Sequence, residues 1–89
     1  MNQARKQKVW DIEVALTKLM PTLKELYYEE FTAFHQLPEV IQESDAGKIN
    51  EQRYDDIEAL LLMVQDAALL AGKIINGSKG DVHEQHFVD

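Results

Sequence analysis

Arg5, Lys6, Lys8 and Trp10 place three cations and one large aromatic face within about two helical turns, and Lys18 and Lys24 follow on the same segment. Cations supply charge for phosphate and an indole supplies a platform for a base, which is the chemistry an anionic nucleotide requires. The candidate ligand set is Arg5, Lys8 and Trp10, with Lys24 and Arg53 contributed by neighbouring chains in an oligomer. The same residues fit a plainer use, in which Trp10 packs against a second copy and the basic side chains stand in water.

The acids form a second group. Residues 25 to 58 hold ten carboxylates, among them Glu29, Glu30, Asp55, Asp56 and Glu58, against Lys48 and Arg53. Glu25, Glu29 and Glu30 share a helix face with Tyr28, and Asp55, Asp56 and Glu58 can face them across a hairpin. All-helical nucleotide pyrophosphatases place a third Glu three residues after such an acidic pair to hold magnesium. Here Ala33 occupies that position, so the acids read as a solvated face suited to a basic protein surface. His83 and His86 are one residue too close for the zinc-protease pattern, His35 reads as a capping or solvent-facing side chain, and the four glycines form no phosphate loop. Asn76-Gly77-Ser78 matches a glycosylation acceptor, but no signal peptide supports it. Without cysteine there is no thiolate metal site, disulfide or cysteine nucleophile. The residues point to a non-enzymatic protein with no cofactor and no metal.

These groups need elements to position them. Val9, Ile12, Leu16, Leu19, Leu23 and Leu26 recur at helical spacing, and Tyr27, Phe31 and Phe34 continue one residue later, which predicts a first helix whose stripe drifts and kinks at Pro21. Leu37 to Gln42 reads as a corner with one helical turn, Pro38 at its first position and Val40 and Ile41 tucked beneath. Ser44 is the expected N-cap of a second long helix, with regular structure beginning near Ile49 because Gly47 disfavours helix. In that helix Tyr54, Ile57, Leu61, Val64, Ala68, Ala71 and Ile75 form one seam, and Leu60, Met63, Ala67, Leu70 and Ile74 a second beside it. The combined face is about 160° wide, more than one neighbouring helix covers. Gly77 is the expected C-terminal cap, and residues 78 to 89 lack a period and read as a flexible tail.

The expected fold is therefore all-α, a long helical hairpin over residues 1 to 77 that assembles into a homodimeric four-helix bundle or a higher oligomer. At 89 residues the chain would bury only about 64% of its unfolded surface, another reason to expect a partner. A net charge of -7 disfavours DNA, RNA and anionic lipid, and no apolar run reaches membrane-spanning length, which predicts a cytoplasmic protein with no membrane partner.

The segment Ala33-Phe34-His35-Gln36-Leu37-Pro38-Glu39, continuing through Gln42, Ser44 and Gly47, resembles the A-F-x-x-L-P-E-x-x-Q-x-S-x-x-G corner of a group of small phage and prophage helical hairpin proteins. The resemblance spans about residues 25 to 75, and the chain departs from the group's uninterrupted first helix at Pro21. More loosely, the hairpin is similar to viral sponge proteins, helical oligomers that sequester cyclic nucleotide signals of bacterial immunity. These resemblances imply a phage-type counter-defence protein, acting in the host cytoplasm, that binds a small anionic cyclic nucleotide. The alternative is an acidic module that inhibits a host defence protein by covering its basic surface.

Overall fold

The computed structural model describes residues 1–80, with side chains through residue 77, as three helices and no strand. Helix α1 spans Gln3–His35, α2 is the single turn Glu39–Gln42, and α3 spans Asp45–Gly80. Asn2 caps α1, its side-chain oxygen accepting from the Arg5 amide at 2.9 Å. The helix is continuous through Pro21, whose ring removes one backbone donor. Ser44 caps α3 as expected, its hydroxyl accepting from the Gly47 amide at 3.2 Å. The helix begins at Asp45, one turn earlier than Gly47 led us to expect, and it runs past Gly77 to Gly80. Gly77 is thus an interior residue and not a cap. The proposed tail is helical backbone at residues 78–80, and residues 81–89, with His83 and His86, lie outside the described residues.

Helices α1 and α3 pack as an antiparallel pair along one heptad seam. On α3 the inner residues are Tyr54, Ile57, Leu61, Val64, Ala68, Ala71 and Ile75, all buried or half-buried, as the spacing predicts. On α1 the outcome differs. The inner rows are Val9, Leu16, Leu23 and Glu30, and beside them Lys6, Glu13, Met20, Tyr27 and Phe34, each row repeating every seven residues. Ile12, Leu19 and Leu26 are exposed. The apparent drift of the stripe has a simple origin: Lys6, Glu13 and Glu30 hold inner positions, and their polarity hides a continuous row. Gly72 makes room for Glu13. A Cβ at Gly72 would lie 2.8 Å from Glu13 Oε2, so the backbone of α3 passes close to that carboxylate.

At the corner most residues of the sequence pattern have a folding task. Phe34 is buried, and Pro38 supplies the N-cap of α2 and not its first helical position. Gln42 Nε2 donates to the Leu37 carbonyl at 2.8 Å, closing the turn. Ser44 starts α3, and Gly47 lets α3 touch α2: an added Cβ would meet the carbonyl oxygens of Ile41 and Gln42 and lie 2.6 Å from the Gln42 carbonyl carbon. Val40 and Ile41 are not tucked under the turn. Val40 is 80% exposed, because a single turn has no second layer beneath it.

The resulting body is one layer thick, 63 × 19 × 14 Å, with a radius of gyration of 19.5 Å against about 12 Å for a compact domain of this length. Among the described residues only Phe34, Tyr54, Ala71 and Ile75 form a buried core. Among the described residues no helix is long and apolar enough to cross a membrane.

Candidate functional site

The two flanks of the hairpin differ in composition, one mixing polar side chains with the exposed Trp10 and Leu69 and the other more uniformly apolar. Thr17 of α1 lines one inter-helix groove, of about 400 Å3, together with Gln65 and Gly72 of α3. Trp10, Thr17, Lys24 and Phe31 repeat every seven residues, so they lie along this flank. Residues two further on, Ile12, Leu19 and Leu26, are about 160° away round α1, and Leu60, Ala67 and Ile74 are equally removed from Glu58, Gln65 and Gly72 on α3. Both sets therefore occupy the opposite flank. With Met63 and Leu70 they make a continuous apolar face along the hairpin, every large side chain of it exposed.

This division separates the residues expected to bind a ligand. Trp10 is 55% exposed and lines a cleft of about 270 Å3 at the open end with Gln3, Lys6, Gln7 and Ile75. Lys24 lies on the same flank two heptads along, about 21 Å away. Arg5 and Lys8 fall on the apolar-face side of α1, and Arg53 lines a groove on that side with Ile49, Gln52, Asp56, Ile57 and Leu60. Arg53 also sits near the corner, at the far end of the hairpin from Trp10. Within one chain the cation beside the indole is Lys6. The spacing carried that signal, since residues 3, 6, 7 and 10 share one helix face and residue 8 does not.

The acids are divided as well. Tyr54 is the hub of an aromatic cluster, with ring centroids 6.2 Å from Tyr27, 5.2 Å from Phe31 and 5.4 Å from Phe34. Burial raises the Tyr27 hydroxyl above its ordinary pKa, reinforced by the charge of Glu58, a hydrogen bond donated to Glu58 and the charge of Asp55. Tyr54 is raised by burial first, then by the charges of Glu51 and Asp55 and a hydrogen bond to Glu51. Glu51, Asp55 and Glu58 thus ring the tyrosines on the Trp10 flank. Asp56, which accepts from Gln52 Nε2 at 2.9 Å, turns to the apolar-face side, and Glu29 lines a shallow groove on α1 with Thr22, Glu25 and Leu26. Glu30 is half-buried in the seam. His35 is exposed and donates from Nδ1 to the Phe31 carbonyl at 2.8 Å while stacking on the Phe31 ring, the capping role its position implies. Among the described residues no three His, Asp or Glu side chains converge on a point where a metal ion could sit.

No protein-family model, curated protein or solved structure matches the chain.

Proposed function

We propose that the chain is a non-enzymatic assembly and binding module, whose hairpins pair through their outer apolar faces into a four-helix bundle. One observation carries this reading: Ile12, Leu19, Leu26, Leu60, Met63, Leu70 and Ile74 are 40–67% exposed along one face of a body that has almost no core of its own. Covering those exposed fractions would contribute about 5 to 11 kcal/mol per hairpin before the costs of association. Sedimentation of the purified chain tests it: a well-folded monomer at micromolar concentration refutes the reading.

What the bundle binds is a second step of the same proposal. The Trp10 cleft supports an anionic nucleotide, with the indole for a base, Lys6 for phosphate, and the Gln3 and Gln7 amides for polar edges. Sequestration of a cyclic nucleotide signal, as the likeness to viral sponges implies, is the form of binding such a cleft would serve. Trp10 is the sole tryptophan, so its fluorescence in a titration with cyclic di- and trinucleotides reports occupancy directly. The ring of Glu51, Asp55 and Glu58 favours a second reading, an acidic surface that engages a basic host protein. Silence across the nucleotide panel, with a stoichiometric basic protein captured from lysate, would select that reading over the first.

A further inference from the structure

We propose that the occupant of the outer apolar face is a second copy of this chain in antiparallel orientation, the corner of one hairpin lying over the open end of the other. The proposal rests on the assembly reading and adds the partner's direction and register. Area supports a second copy. The accessible surface is 6685 Å2, against roughly 5,300 Å2 for a compact monomer of this mass, and an ordinary stable interface removes about 800 Å2 per partner.

Two face-to-face arrangements have two-fold symmetry. With the hairpins parallel, α1 lies over α3 of the partner; with them antiparallel, α1 lies over α1 and α3 over α3. The apolar rows satisfy either. Their midpoints are Leu19 on α1 and Ala67 on α3, and an antiparallel pair centred there sets Ile12 against the partner's Leu26, Leu60 against the partner's Ile74 and Met63 beside the partner's Leu70. The parallel pair sets Ile12 over Ile74 and Leu26 over Leu60.

Charge separates the two. Lys8, Glu29 and Asp56 are all exposed on the margin of this face. In the antiparallel register Glu29 falls within one residue of the level of the partner's Lys8, twice per dimer. In the parallel register Glu29 falls at the level of the partner's Asp56, acid on acid, also twice, and the partner's Arg53 stands one turn further towards the corner. More broadly, the basic open end meets the acidic corner end in one arrangement and its own kind in the other.

Charge reversal and cysteine pairing test the orientation. At low salt, Lys8→Glu and Glu29→Lys should each raise the dimer dissociation constant several-fold, and the double variant should return it towards wild type. A Glu29→Lys chain that dimerises more tightly than wild type, with Lys8→Glu neutral, would overturn the proposal in favour of the parallel pair. The chain has no cysteine of its own, so introduced thiols report without background. Ala15→Cys with Thr22→Cys in one chain should give a covalent dimer on oxidation, and Ala15→Cys with Leu70→Cys should not. The reverse pattern overturns the orientation while leaving the assembly reading intact. A wild-type chain that sediments as a monomer removes both.

Discussion

Gly47→Ala tests the corner most directly. Replacing glycine by alanine inside a helix ordinarily gains up to about 1 kcal/mol, and Gly77, with open space where its Cβ would project, should show that gain. At Gly47 the new methyl would lie 2.6 Å from the Gln42 carbonyl carbon and closer still to two carbonyl oxygens. These are backbone atoms at the end of α2, held by the Gln42 to Leu37 hydrogen bond and the Ser44 cap, so they cannot swing aside as a long side chain would. Overpacking of this kind costs about 1 to 3 kcal/mol, which offsets the helical gain and leaves a net loss of up to about 2 kcal/mol. The helical gain is common to both variants, so the predicted difference between Gly77→Ala and Gly47→Ala is the overpacking cost, about 1 to 3 kcal/mol, or about 4 to 24 °C in Tm for a domain of this size. Circular dichroism melts of both variants measure it, run at one protein concentration because the proposed assembly would make Tm concentration-dependent. If Gly47→Ala melts at or above wild type, α2 and α3 do not approach as described, and the structural account of the corner fails.

Ser44→Ala should lower stability by about 0.5 to 2 kcal/mol through loss of the α3 cap, read from the same melts. Leu70→Glu, on the exposed face and away from the seam, should raise the dimer dissociation constant at least tenfold in sedimentation equilibrium, with helicity kept at concentrations where the dimer persists; an unchanged assembly would exclude this face. Trp10→Ala should weaken nucleotide binding by about 1 to 3 kcal/mol if a base stacks there, and Lys6→Gln should weaken it with a reduced salt dependence, whereas Lys8→Gln should not alter that site. Because Tyr27 and Tyr54 are raised above the ordinary tyrosine range, the unfolded chain gives up these protons first as pH rises. Their stabilising contribution is therefore complete below about pH 10 and is lost as pH climbs through the folded values. A melt series from pH 8 to 11 should show Tm falling above about pH 10, less steeply in Tyr27→Phe and Tyr54→Phe; equal slopes would show that these hydroxyls are not linked to folding.

Much of α3 was legible in the sequence because apolar or aromatic residues fill its inner positions from Tyr54 to Ile75, so periodicity and burial coincide. The Ser44 cap was legible for a local reason, since a hydroxyl at a helix start reaches only the amides of the next turn. The inner side of α1 was not. Lys6, Glu13 and Glu30 interrupt its seam, and a half-open, one-layer hairpin tolerates them because each charged head still reaches water. Hydropathy consequently favoured the row Ile12, Leu19 and Leu26, which the tertiary structure leaves outside. The task of Gly47 was also hidden, because its cost to a helix is intrinsic while its benefit comes only from the approach of α2. The separation of Lys8 from Trp10, by contrast, was already present in the spacing, because residues two apart lie about 160° apart round a helix; only the docking of α3 decides that Trp10 and Lys6 border a cleft closed by Ile75.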